Sequence, residues 1–121
     1  MTAREVTAYT LRTCDACRKA VRALEAGGWT VRAVDVRADG LPPGALGKVA
    51  DSVGWEALLN TRSATWRGLD EAARARARSG REGALAAIAA HPTLMKRPVL
   101  VAGDAVHVGW TRDVHEALLG G

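Results

Sequence analysis

Between residues 5 and 36 the apolar pattern changes its period twice, and that double change constrains the fold more than any other feature. Glu5–Leu11 (EVTAYTL) is rich in Val, Thr and Tyr and reads as a strand. After a short turn at Arg12 and Thr13, Cys17, Ala20, Val21 and Leu24 recur at helical spacing, so a helix is predicted over Asp15–Ala26. Gly27 and Gly28 stop it, as glycine does at helix carboxyl ends. Val31–Val36 (VRAVDV) returns to strand character. A strand, a helix of that length and a second strand make a right-handed βαβ unit.

The next stretch is helical throughout. Leu41, Pro42 and Pro43 break the chain; a helix follows over 44–53 with Leu46 and Val49 on one side, then a short helical piece over 55–59. Residues 61–68 read as loop. Asp70 caps a helix over 71–78, and another runs over 82–90 with Leu85, Ile88 and Ala89 inward, ended by Pro92. Pro98–Ala102 (PVLVA) is a strongly apolar strand, turned back by Gly103 and Asp104 onto Ala105–Val108. A last helix covers 111–119, with Val114, Leu118 and Ala117 inward. The expected fold is α/β and thioredoxin-like: a four-stranded mixed sheet, βαβ then ββα, interrupted by a helical insert. One domain is expected over 1–121, with 1–40 and 92–121 building the sheet part and 41–91 the insert.

Composition narrows the core and the compartment. Apolar residues make up 48%, but there are four Trp, one Tyr and no Phe, so the core must be built mainly from Leu, Val, Ile and Ala. The opening MTAREVTAY holds no apolar run of secretory length, and nothing approaches the roughly 20 apolar residues that cross a bilayer. A soluble, cytoplasmic protein with no membrane partner is expected. The formal charge is +4, without a polybasic run or interleaved aromatics, which argues against direct nucleic-acid binding. Arg74, Arg78 and Arg81 share a face at helical spacing; that face is solvated, or else docks an acidic partner.

Both cysteines lie in TCDACRKA, residues 13–20, at the predicted helix start. Backbone N–H groups converge there and favour the thiolate of Cys14, with Arg12, Arg18 and Lys19 nearby in sequence. Cys17, one turn on, can reach back to resolve a mixed disulfide. Other readings stay open. Zinc needs four ligands, and His91, His107 and His115 are not paired at metal-binding spacing, so no metal is expected. Cys17 as a small buried residue on the apolar face is a lesser alternative.

Three stretches, TCDACRKAVRALEAGG, VGWEALLNTRSATWRGLDE and HPTLMKRPVLVAGDAVHVGW, occur in the order of a known group and span nearly the whole chain. With them the chain resembles the arsenate reductase-like superfamily that includes ArsC, Spx and YffB proteins. The middle stretch is most similar to YffB; the C-x-x-C and the TRS at 61–63 are more similar to Spx. The resemblance implies that Cys14 is the catalytic nucleophile. It makes Arg97-Pro98 the family's Arg-Pro step, with a cis bond that brings Arg97 beside Cys14. It puts Thr13, Arg62 and Pro98 among thiol- or substrate-binding positions. The three-arginine anion grip of arsenate-reducing members is matched cleanly at Arg97 alone: Asn60 takes the first place and Trp110 lies near the last. That points away from arsenate itself. The expected activity is thiol–disulfide exchange with Cys17 resolving and no bound cofactor, linked to glutathione, a glutaredoxin or a thioredoxin. The alternative that the resemblance carries is an Spx-like redox sensor that binds the RNA polymerase alpha subunit through Gly54 and Arg62.

Overall fold

The computed structural model describes residues 4–120; the ends of the expected domain, residues 1–3 and 121, lie outside the described residues. Strand β1 (Arg4–Thr10) is followed by helix α1 (Asp15–Ala26) and strand β2 (Trp29–Asp35). Helices α2 (Pro43–Val53), α3 (Trp55–Leu58), α4 (Ala64–Gly68), α5 (Glu71–Arg78) and α6 (Arg81–Ala90) come next, then a 3-10 turn over Pro92–Leu94. Strands β3 (Val99–Ala102) and β4 (Ala105–Val108) form a hairpin, and helix α7 (Arg112–Leu119) closes the described chain.

The strand order is β2-β1-β3-β4. β1 runs parallel to β2, with Arg4 opposite Trp29 and Ala8 opposite Ala33, and antiparallel to β3, with Ala8 opposite Leu100. The four-stranded mixed sheet with helices is the thioredoxin-like α/β arrangement expected from the element order.

Strand alternation divides the core. Val6, Ala8 and Leu100 point to one face, where they bury with Leu24 of α1 and with Val114 and Leu118 of α7. Tyr9 and Val99 point to the other, where they meet Leu46, Val49, Leu58, Ile88, Leu94 and Met95 of the helical region. Neighbouring side chains of one strand thus serve opposite layers. Each fully buried Leu or Ile contributes about 1.5–3 kcal/mol, so both layers are needed to offset chain entropy.

Several local expectations change. Residues 61–68 are not all loop: α4 forms because the Ser63 hydroxyl accepts the Trp66 amide at 3.0 Å and because Trp66 buries. Pro98 precedes β3 rather than opening it, and Thr111 is the cap of α7, accepting Val114 N at 3.2 Å, not its first turn. Ala89 and Ala117 are exposed. Arg74, Arg78 and Arg81 do not share a helix face, since the helix breaks after Arg78. Arg74 donates to Leu69 O, Arg78 lies 4.9 Å over the Trp66 ring, and Arg81 pairs with Asp51 at 2.8 Å.

Candidate active site

The amide of Cys14 donates to Leu11 O at 2.9 Å, closing a turn through Arg12 and Thr13. That turn delivers Cys14 to the N-cap of α1 with extended backbone, φ −89° and ψ 116°. The side chain is half-buried and makes no complete cap hydrogen bond. Partial burial pushes the Cys14 thiol up, but it is outweighed: the Cys17 amide, the Cys17 thiol, the Arg97 charge and the Ala16 amide together hold it below its ordinary value. The amides act as oriented dipoles even where cap geometry is imperfect. Cys17 is 1% exposed. Burial, with Cys14 adding to it against the Leu11 amide and Arg97, pushes its thiol up to about 12. Both cysteines are free thiols.

Arg97 is held from behind. Its Nη1 donates to Thr93 O at 2.9 Å and Met95 O at 2.8 Å, and the Arg97–Pro98 bond is cis. Its Nε is buried without a partner. The helical region is pinned to this segment by Asn60 N to Leu94 O at 2.8 Å and Lys96 N to Leu58 O at 2.7 Å. A cleft of about 450 Å³ opens there, lined by Ala57, Asn60, Lys96, Arg97, Val108, Gly109 and Thr111. The amide of Gly109 donates to Pro98 O at 2.7 Å and fixes the cleft wall. Two cations and no carboxylate line it, so it suits an anionic group.

Asp35, at the end of β2, was not singled out by sequence. Its carboxylate accepts Arg12 N at 2.8 Å and Arg37 N and Ala38 N at 2.9 Å. The Ala38 and Arg12 amides hold its carboxyl below the usual range, Arg37 N and the Arg12 charge adding to them. Asp35 therefore clasps the turn that carries Cys14 to the loop after β2. An Asp at a strand end before a turn is the signal that could have found it.

Other residues named from sequence fall elsewhere. Thr13 is exposed within the turn before Cys14. Arg62 is exposed; its amide donates to Asn60 Oδ1 at 3.1 Å, its carbonyl accepts Arg67 Nη1 at 2.7 Å, and it does not line the Arg97 cleft. Gly54 joins α2 to α3 at φ +87°, where glycine is favoured whatever the partner. Trp66 is buried in the helical layer, and Trp110 packs beside His115 with ring centroids 5.4 Å apart; neither lines the Arg97 cleft. Among the described residues no group of three His, Cys, Asp or Glu could hold a metal, and no helix is long and apolar enough to cross a membrane.

Known proteins are similar to this chain in sequence and in fold. An uncharacterized protein of Haemophilus influenzae is 32% identical over 112 residues, covering 93% of this chain and 96% of its own. A solved YffB protein is 31% identical with a TM-score of 0.84, covering 94% of this chain and 98% of its own. An arsenate reductase (ArsC) related protein from Brucella melitensis is 32% identical with a TM-score of 0.72, covering 97% and 96%. The ArsC family model matches residues 9–118. That match spans both cysteines, the helical region and Arg97, and the chain belongs to the ArsC family.

Proposed function

We propose that this protein is a thiol–disulfide oxidoreductase in which Cys14 attacks, Cys17 resolves and Arg97 steadies the anion. The observation that carries the reading is the opposed pair of thiols: a half-exposed Cys14 held acidic at the start of α1, and a buried Cys17 one turn below it. Family membership supports the reaction class.

The Cys14 thiolate attacks one sulfur of a disulfide R–S–S–R′. The Cys14–S–S–R bond forms, the old S–S bond breaks, and R′S⁻ leaves and takes a proton. The negative charge on Cys14 is then gone, and with it the influence of Cys14 that helps hold the Cys17 proton. Cys17 gives that proton to water and attacks the Cys14 sulfur. RS⁻ leaves and is protonated, and a Cys14–Cys17 disulfide remains. Two molecules of glutathione, or the dithiol of a glutaredoxin or thioredoxin, reduce it and are themselves oxidised. Such a cycle needs no bound cofactor and suits the reducing cytoplasm. The cationic cleft at Lys96 and Arg97 can hold a carboxylate of glutathione while its sulfur reacts. Thr13 and Pro98 would border that sulfur, with Arg62 outside the cleft.

The regulator alternative rests on Gly54 and Arg62. Each has a local duty, a left-handed joint and a loop carbonyl respectively, so the enzyme reading is preferred. Turnover of bis(2-hydroxyethyl) disulfide with glutathione tests it. Turnover lost in Cys14→Ser supports it; full turnover in that variant overturns it. Capture of the RNA polymerase alpha subunit, abolished by Arg62→Glu, would favour the regulator.

A further inference from the structure

A second groove lies beside the cysteine turn and shares no lining residue with the Arg97 cleft. It is about 330 Å³ and is lined by Thr10, Leu11 and Arg12 from the end of β1, Cys17, Arg18, Val21 and Arg22 from α1, and Ala33 from β2. Ala33, a small residue on β2, forms part of its wall. Its floor is apolar and its rim carries three guanidinium groups with no carboxylate in the lining. Arg18 is paired with Asp15, which leaves a net positive rim. Arg22 forms no hydrogen bond or ion pair among the described residues. The groove near Gly40 and Leu85 differs, since its one cation, Arg81, is already tied to Asp51. The volume sits at the low end for ligand sites and is roomy enough to admit an apolar side chain.

We propose that this groove is the substrate-docking surface, receiving an acidic peptide segment that places an apolar side chain beside the disulfide to be reduced. This rests on the thiol–disulfide reading above and adds the substrate's chemistry to it. Cys17 lines the groove, and Arg12 and Arg18 stand on either side of Cys14 in the chain, so a segment lying on the rim would sit next to the cysteine pair. Leu11, Val21 and Ala33 take the apolar side chain; Arg12, Arg18 and Arg22 meet its acidic neighbours. Rim charges of this kind act mainly on encounter and selection.

The test uses two peptides with the same cysteine–glutathione mixed disulfide and an adjacent leucine, one flanked by glutamates and the other by lysines. Cys14 attacks the glutathione sulfur, the peptide leaves as a thiol, and free glutathione supplies the electrons. The acidic peptide is expected to react about tenfold faster in kcat/KM, with the advantage shrinking as salt rises. Arg22→Glu is expected to abolish most of the preference while leaving uncharged bis(2-hydroxyethyl) disulfide turnover unchanged. Ala33→Leu, which fills the groove, is expected to slow both peptides alone. Equal rates for the two peptides, or an unchanged preference in Arg22→Glu, overturns the proposal. Wild type that fails on bis(2-hydroxyethyl) disulfide sinks the enzyme reading instead. The groove is then decided by NMR shifts at Leu11, Val21 and Ala33 with serine versions of both peptides: shifts from the acidic one alone support it, and none or equal shifts overturn it.

Discussion

Cys14 and Cys17 lie one helical turn apart yet diverge in acidity: the half-buried first thiol is held below its ordinary 9.0, and the second, 1% exposed, is pushed up to about 12. The same α1 start that offers amides to one sulfur buries the other.

Alkylation should therefore be selective. Iodoacetamide is expected to label Cys14 alone on the native protein, with a half-maximal rate below pH 9.0, while Cys17 reacts only on unfolding. The linkage has two signs. Cys14, depressed in the fold, adds stability above its unfolded value and loses it as pH falls through the folded one. Cys17, raised in the fold, favours folding below its ordinary 9.0, and that contribution is lost as pH climbs toward about 12. A Tm series above pH 9 in wild type and Cys17→Ala checks the second: the alkaline fall should be shallower in the variant.

Arg97 acts on Cys14 by charge and on the 93–95 turn by two hydrogen bonds. Arg97→Met is expected to raise the Cys14 alkylation midpoint and to lower kcat/KM by about 10–100-fold, the scale of one charged hydrogen bond. Arg97→Lys should restore much of the midpoint but less of the rate, because ammonium lacks the planar fork. An unmoved midpoint in Arg97→Met would contradict the assignment.

Asp35 contributes through three backbone N–H groups, one of them from Arg12. Its depressed carboxyl gives stability that is present above the unfolded carboxyl range and lost as pH falls through the folded value. Asp35→Ala is expected to lower Tm at pH 7, flatten the acid arm of the Tm–pH curve and slow Cys14. Asp35→Asn, which keeps an acceptor, should recover part of the Tm but not the acid arm.

Gly54→Ala tests whether that glycine serves the backbone. At φ +87° and ψ 140° with open space around a new Cβ, the cost is conformational, about 1–3 kcal/mol. Disulfide turnover is expected to stay unchanged once Tm allows folding.

The sequence made the sheet legible where period and punctuation agreed: Gly27 and Gly28 end α1 after Ala26, as read. Boundaries failed where pairing decided them. Trp29 and Thr30 join β2 because Arg4 and Glu5 lie opposite, a partner no local pattern reveals. Helix α4 was missed because five residues carry too little periodicity, though Ser63 was a visible cap. At the site, Cys14 and Cys17 stood out by spacing. Arg97 came from family resemblance, since it stands far along the chain from Cys14 and no local pattern reveals its approach; only the fold places its charge against both thiols. Asp35 and the groove at Ala33 depend on two strand ends meeting, which spacing does not encode.

Mass spectrometry after treatment with oxidised glutathione addresses the central claim most directly. The account expects a Cys14–Cys17 disulfide in wild type, a stable glutathione adduct on Cys14 in Cys17→Ser, and almost no adduct in Cys14→Ser, where the remaining thiol is buried. A rapid adduct on Cys17 in Cys14→Ser, or a persistent Cys14 adduct in wild type without the internal bond, would contradict it.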